Sequence, residues 1–141
     1  MDIKRAVLRM EGDTFNVEIP SGNVRIGKGA LAPMELMLVA VGGCTAMDVQ
    51  YILRKMRYDF QMEVVVEGSR RKEHPKIYER ITITYNVEGD VPQRAVERAV
   101  GLSLTRYCSA TAMISATTDI EYVIVLNGQE VKRGQKKPLE G

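Results

Sequence analysis

Alternating apolar and polar positions predict strands in several parts of the chain. Between residues 3 and 27, three short runs alternate in this way and are separated by turn residues, which predicts an antiparallel meander of two or three strands. Asn127-Gly128 is a typical hairpin turn. The further predicted strands lie at 61–68, 77–87, 120–126 and 129–132.

A segment with helical periodicity lies between the two groups of predicted strands. It runs from Met34 to about Tyr58, its first half is apolar on every side, and Pro33 suits its first turn. Such a helix is expected to be surrounded by protein. A membrane span is the alternative, but only eight residues separate Glu35 from Cys44, whereas a span needs roughly 20 apolar residues.

Two more helices are predicted between the last strands, at 91–106 and 110–116, with Ser109 as the cap of the second. Strands and helices are therefore segregated along the chain. This order predicts an α+β fold in which antiparallel β-sheets wrap around the long apolar helix.

Composition fits one globular domain, because 45% of the 141 residues are hydrophobic and 27% are charged. We expect this domain to cover residues 1–131, followed by a basic, flexible tail at 132–141. The tail carries four cations and one anion, so it accounts for the whole net charge of +2. Bulk charge therefore gives no support to a nucleic-acid or membrane surface.

The chain has two cysteines and one histidine. Two cysteines are too few for a disulfide-rich secreted domain, and no apolar leader pattern opens the sequence, so a cytoplasmic location is expected. No Cys-x-x-Cys spacing is present, and a zinc site would have to gather Cys44, His74, Cys108 and a carboxylate. We therefore expect no metal and no cofactor, and thiols or carboxylates carry whatever chemistry there is.

Cys44 lies in the middle of the apolar helix, directly after Gly42-Gly43. Each glycine inside a helix costs about 1 kcal/mol relative to alanine. Two interpretations remain open at this point. Either a neighbouring segment packs very closely against the helix there and Cys44 is a small hydrophobic residue, or the glycines leave space beside the sulfur for a ligand or a second cysteine.

Cys108 lies at a junction between two predicted helices, immediately before the predicted cap Ser109. The positive end of the second helix is expected to lower the pKa of the Cys108 thiol. Cys44 and Cys108 could act as a peroxidatic and a resolving cysteine, which would pass through a sulfenic acid to a disulfide. Asp48 shares the face of Cys44 one turn on, where binding to backbone or to a cation is expected.

Glu35 is the third candidate, an isolated carboxylate before the apolar run. The alternative is a simple N-terminal charge that interacts with the helix dipole. On an ideal helix, Glu35 and Cys44 lie about 180° and about 13 Å apart. Within one straight helix they therefore cannot touch.

Four segments together resemble the OsmC/Ohr superfamily, in its OsmC-like branch, over roughly residues 3–126. They are Pro33-Met34-Glu35-Leu36, Gly42-Gly43-Cys44-Thr45-Ala46-Met47-Asp48-Val49, Glu73-His74-Pro75 and Tyr107-Cys108-Ser109. The resemblance implies an intertwined homodimer in which both subunits bury each long helix. It also implies thiol-dependent reduction of organic hydroperoxides, with Cys44 as peroxidatic and Cys108 as resolving cysteine.

The chain departs from the family pattern at two places. Better-studied members have a glutamate directly after the proline, where this chain has Met34, so Glu35 is displaced by one residue. Those members also have an arginine near the first strand turn. Met10 occupies the matching position here, and Arg9 and Arg25 are the nearby substitutes.

The leading hypothesis is a cytoplasmic, homodimeric thiol peroxidase that is reset by an external dithiol, with no nucleic-acid or membrane partner. Cys44, Cys108 and Glu35 are its candidate catalytic residues. The main alternative is a non-catalytic dimeric protein that binds a small ligand or acts as a redox switch. Cysteine-dependent acyl transfer is a weaker alternative, because no histidine lies near either cysteine in sequence.

Overall fold

The computed structural model describes residues 2–138. The chain divides into two compact units, the first ending at Met37 and the second beginning at Leu38. The first unit holds a three-stranded antiparallel meander in the order β1-β2-β3, as the sequence predicts, followed by the start of helix α1. The strands are β1 (Val7–Glu11), β2 (Thr14–Ile19) and β3 (Gly22–Gly27).

Helix α1 spans Pro33–Lys55, begins at the predicted proline and continues into the second unit. It buries one face, formed by Val41, Gly42, Thr45, Val49 and Leu53. The opposite face is open, with Val39 63% and Met47 70% exposed. Within one chain, the apolar run is therefore covered on one side only.

By length and composition, α1 could also cross a membrane. This criterion averages hydropathy over 18 residues and tolerates two charged ones, so it admits the helix although Glu35 and Asp48 interrupt its apolar residues. The core helix of a soluble protein passes the same test of length and composition.

The second unit contains a four-stranded sheet in the order β4-β5-β6-β7. Its strands are β4 (Phe60–Arg70), β5 (Tyr78–Gly89), β6 (Asp119–Leu126) and β7 (Gln129–Lys136). The α+β class is confirmed, but one pairing differs from the antiparallel expectation, since β5 and β6 run parallel. The helices between these two strands provide the long connection that a parallel pair requires.

The core face of β5 is formed by Ile81, Ile83, Tyr85 and Val87, each at most 1% exposed. Glu79 interrupts this row in the sequence. The register between β4 and β5 shifts there, so that Arg70 pairs with Tyr78 and Ser69 with Arg80. This bulge leaves Glu79 unpaired and returns Tyr78 to a buried position.

The helical segment between β5 and β6 is divided into three parts, where the sequence predicts a helix at 91–106 and another at 110–116. Helix α2 covers Gln93–Leu102, a wider π-helical turn covers Ser103–Tyr107, and helix α3 covers Ser109–Ile114. The predicted cap is wrong by one residue, because Cys108, rather than Ser109, caps α3. A π-turn adds a residue to the helical repeat, and such turns are frequent at functional sites.

The predicted flexible tail differs from the structure at 132–136, which continue β7 and pair with β6. Lys132 forms an ion pair with Glu97, and the Lys136 ammonium donates to the Leu104 carbonyl at 2.6 Å. These contacts and the strand pairing hold the basic segment. Residues 139–141 of the predicted tail lie outside the described residues.

Candidate active site

Cys44 lies in the middle of α1 and is half-buried. The two glycines before it have different surroundings. A Cβ on Gly42 would lie 2.7 Å from Cγ2 of Val66 on β4, whereas a Cβ on Gly43 would have no atom within 4 Å. Close packing therefore explains Gly42, and open space on the outer side of the helix remains at Gly43.

Cys108 is only 3% exposed and closes the π-turn. Its backbone N–H donates to the Ser103 carbonyl at 2.7 Å. Its sulfur accepts the backbone N–H of Thr111 at 3.5 Å, so the thiol itself caps α3. The sulfur is thereby fixed at the helix end that the sequence indicates.

The predicted lowering of the Cys108 pKa is wrong. Burial raises the pKa of this thiol above its usual range, and the neighbouring Cys44 adds to the rise, while the hydrogen bonds from Thr111 act in the opposite direction. Helix α3 has six residues, so its dipole is short, and desolvation outweighs it. Cys108 is thus a protonated thiol at neutral pH.

The structure brings Cys44 and Cys108 together from two different elements. Cys44 is close enough to Cys108 to raise its pKa, and both are free thiols. One is half-buried and the other is buried. Two neighbouring free thiols of unequal burial are the groups that disulfide formation needs.

Buried hydroxyl groups form a hydrogen-bonded chain beside the cysteines. Thr45 Oγ1 lies 2.7 Å from both Tyr85 Oη and Ser103 Oγ, and Ser103 Oγ donates to Asp48 Oδ2 at 2.9 Å. Asp48 was expected to bind backbone or a cation, but its partner here is this serine hydroxyl. Burial also raises the pKa of Tyr85 above its usual range, so its hydroxyl stays protonated.

Sequence reasoning did not identify Thr45, Tyr85 and Ser103 as site residues. Thr45 could have been identified as a site residue, because it is a polar residue in an apolar helix and directly follows Cys44. Tyr85 has the weaker signal of a hydroxyl in the apolar row of β5. Ser103 has none, since it meets Thr45 across 58 residues of sequence.

Glu35 is exposed in the first turn of α1, where its Oε1 accepts the backbone N–H of Ala32 at 2.9 Å. This contact is a helix-capping interaction, in agreement with the interpretation of Glu35 as an N-terminal charge. Its catalytic role stays a prediction. The two candidate arginines are engaged in ion pairs on the first sheet, Arg9 with Glu18 at 2.6 Å and Arg25 with Glu11 at 2.9 Å.

Among residues 2–138, no group of three or more His, Cys, Asp or Glu side chains could hold a metal ion. His74 is exposed in the loop between β4 and β5 and precedes a cis peptide bond to Pro75. Its exposed environment differs from that of Cys108, which is 3% exposed.

Two cavities of the second unit border α1. One of about 610 Å³ lies between α1 and β4 and includes Gly42, Gly43 and Val66 in its walls. The other, of about 590 Å³, lies between α1 and α2. The second has a mixed lining of carboxylate, cations, aromatic rings and apolar side chains, namely Asp48, Tyr51, Ile52, Lys55, Met56, Arg98, Leu102 and Tyr107.

The sequence of this chain is similar to those of known proteins. The family model described as OsmC-like protein matches residues 26–123, which include Glu35 and both cysteines. Protein YhfA of Escherichia coli strain K12 is 39% identical over 120 residues, covering 80% of this chain and 90% of YhfA.

Solved structures are similar over most of the chain. A hypothetical protein from Aquifex aeolicus VF5 superimposes with a TM-score of 0.86 at 38% identity, covering 89% of this chain and 97% of that one. A Legionella pneumophila protein described as an organic hydroperoxide resistance protein OsmC superimposes with a TM-score of 0.64 at 14% identity, covering 89% and 98%. At that identity, the second likeness concerns the fold alone.

Proposed function

Because the chain belongs to the OsmC-like protein family, we propose that it is a thiol peroxidase that reduces organic hydroperoxides through Cys44 and Cys108. The observation that carries the proposal is the meeting of these two thiols from α1 and the π-turn, one half-buried and one buried. The name of the Legionella protein, which has this fold, supports the choice of an organic hydroperoxide as substrate.

Solvent access supports the proposed roles of the two cysteines. Cys108 is 3% exposed, so a peroxide meets Cys44 first. The Cys44 thiolate attacks the distal oxygen, the O–O bond breaks, and the alkoxide leaves as an alcohol after taking a proton. Cys44 then carries a sulfenic acid.

Cys108 resolves this intermediate. Its thiolate attacks the Cys44 sulfur, the S–O bond breaks, and hydroxide leaves as water with the proton that Cys108 has released. The two thiols lose two electrons in forming one disulfide, and the peroxide gains them. An external dithiol then reduces the disulfide by exchange, which requires a reducing compartment such as the cytoplasm.

The proposed working form is a homodimer. Val39, Gly43 and Met47 follow one another at intervals of four residues on the open face of α1, and Val39 and Met47 are 63% and 70% exposed. Gly43 has open space around it, so a second helix could approach its backbone closely. A second copy of this chain presents the same stripe and can pair with it through two-fold symmetry.

Thiol titration tests the peroxidase. The reduced chain is treated with one equivalent of cumene hydroperoxide, and free thiols are counted before and after. We expect both thiols to be lost in the natural chain, none in Cys44→Ser, and a sulfenic acid trapped by dimedone in Cys108→Ser. Unchanged thiols in the natural chain would refute the proposal.

A redox switch is the second candidate, and the surroundings of Glu35 favour it. Glu35 binds the Ala32 N–H, and Arg9 and Arg25 already have carboxylate partners. A switch would form the same disulfide once and slowly. With excess dithiothreitol, a peroxidase consumes many equivalents of peroxide per chain, whereas a switch consumes peroxide no faster than dithiothreitol alone.

A further inference from the structure

Ser103 connects the two cysteine-bearing elements through three separate contacts. Its carbonyl accepts the Cys108 N–H at 2.7 Å, its hydroxyl donates to Asp48 at 2.9 Å, and Thr45 lies 2.7 Å from the same hydroxyl. Ser103 and Thr45 are both 0% exposed. Since Thr45 directly follows Cys44, the hydroxyl of Ser103 joins the turn of α1 that holds Cys44 to the turn that holds Cys108.

The Asp48 carboxylate sets the direction of every hydrogen bond in this chain. A hydroxyl has one hydrogen to donate, and that of Ser103 goes to Asp48. Ser103 therefore accepts from Thr45, and Thr45 accepts from Tyr85. The result is a single ordered arrangement, Tyr85 to Thr45 to Ser103 to Asp48, with a charge at its end.

An ordered, buried chain that ends on a charge is stronger than three isolated neutral hydrogen bonds. Loss of one hydroxyl leaves neighbouring buried groups without partners. Such a chain restricts movement of α1 relative to the π-turn. Disulfide formation depends on how the two elements are placed relative to each other, because the two sulfurs bond only within a narrow range of distances and dihedral angles.

We propose that Thr45 and Ser103 are positioning residues that hold Cys44 and Cys108 in register for disulfide formation, and thereby set the reduction potential of this cysteine pair. The inference deepens the proposed peroxidase and rests on it only for the Cys44–Cys108 disulfide. Fixing two reacting groups raises their effective concentration, which favours the bonded state over two separate thiols.

The reduction potential separates positioning from simple structural support. A substitution that destabilises the reduced and the oxidised chain equally leaves the potential unchanged. The potential moves only where the substitution affects the two states to different extents. If the role of Thr45 is purely structural, its substitution will therefore leave the reduction potential unchanged.

The test equilibrates the full chain with glutathione buffers of varied ratio, traps the thiols by alkylation and reads the fraction oxidised by mass. In this exchange, oxidised glutathione is reduced to two thiols while Cys44 and Cys108 form their disulfide. Thr45→Val removes the hydroxyl at nearly constant shape, and Thr45→Ser retains it. Ser103→Ala is the second variant, because it keeps the carbonyl contact with Cys108.

Thr118→Val is the matched control. Thr118 is buried and its hydroxyl donates to the Tyr78 carbonyl at 2.8 Å, outside the chain beside the cysteines. We expect Thr45→Val and Ser103→Ala to shift the equilibrium at least tenfold toward the reduced thiols, about 30 mV. Thr45→Ser and Thr118→Val are expected to stay within about threefold of the natural chain.

An unchanged equilibrium in folded Thr45→Val or Ser103→Ala overturns the inference, and so does an equal shift in Thr118→Val. It also fails if the natural chain forms no disulfide in oxidised glutathione. If that disulfide forms and shifts as expected but peroxide does not react, the peroxidase proposal fails while the positioning role stands.

Discussion

Gly42 and Val66 pack so closely that a side chain at position 42 has no room. A Cβ there would lie 2.7 Å from Val66 Cγ2, and a valine in a sheet has little rotamer freedom with which to withdraw. We expect Gly42→Ala to lower the free energy of unfolding by about 1 kcal/mol, because overpacking outweighs the gain in helix propensity. Urea unfolding of the reduced chain measures it.

Gly101→Ala is the matched control for this substitution. Gly101 lies on α2, is exposed, and has no atom within 4 Å of an added Cβ. Alanine there should raise the free energy of unfolding by up to about 1 kcal/mol. If Gly42→Ala stabilises the chain as much as Gly101→Ala does, then Val66 on β4 moves away at little cost, and the close contact does not require glycine at position 42.

The exposed stripe of Val39, Gly43 and Met47 on α1 predicts that two copies of the chain associate. If Val39, Gly43 and Met47 meet a second copy of the chain, the natural protein should have twice the 15.8 kDa mass of one chain in light scattering. Gly43→Leu fills the open space and should return the mass of the monomer. Gly101→Leu, which adds the same side chain to another exposed helical glycine, should remain dimeric. A natural protein of 15.8 kDa would contradict the dimer.

The raised pKa of Cys108 predicts how stability changes with pH. Burial favours the protonated thiol in the folded chain, whereas the thiol of the unfolded chain ionises near its usual value of about 8.5. The contribution of Cys108 is thus complete below about pH 8.5 and is lost as the pH rises through the folded-state value. The free energy of unfolding of the reduced chain should therefore fall above pH 8.5.

Cys108→Ser isolates this effect. A serine oxygen can accept the Thr111 N–H in place of the sulfur and keep the cap of α3, but it does not titrate in this range. Cys44 and Tyr85 are present in both chains, and Tyr85 loses only the lesser part of its raised pKa that Cys108 causes, since burial is the main cause. Stability measured by urea unfolding between pH 7 and 10 should fall less steeply in Cys108→Ser, and two parallel curves would show that Cys108 has its ordinary pKa.

The helical region between β5 and β6 shows where periodicity stops predicting structure. The pattern predicts one helix to Arg106, but the chain widens at Ser103 into a π-turn that places Cys108 at the cap of α3. A π-turn adds one residue to the repeat, and the energy that favours it comes from partners distant in sequence. Here Ser103 meets Thr45 and Asp48 on α1, which no local pattern contains.

The sequence singles out the two cysteines of the candidate site, but neither the hydroxyl groups beside them nor the electrostatics of Cys108. The position of each cysteine at an irregular point of a helix identified Cys44 and Cys108 from sequence alone. The pKa of Cys108 was not predictable, because a helix end and burial act on a thiol in opposite directions. Only the folded chain shows that Cys108 is 3% exposed, which decides the sign.

Glu35 can be tested by separating its hydrogen bond from its charge. The amide oxygen of Glu35→Gln can still accept the Ala32 N–H, which the carboxylate accepts at 2.9 Å, whereas Glu35→Ala cannot. We expect Glu35→Ala to lose about 0.5–1 kcal/mol of unfolding free energy and Glu35→Gln to lose little. Because the carboxylate is exposed and engaged in capping, the rate of cumene hydroperoxide consumption with excess dithiothreitol should stay within about threefold in Glu35→Gln. A loss of tenfold or more in that folded variant would instead assign the charge of Glu35 to the reaction and support its place among the candidate catalytic residues.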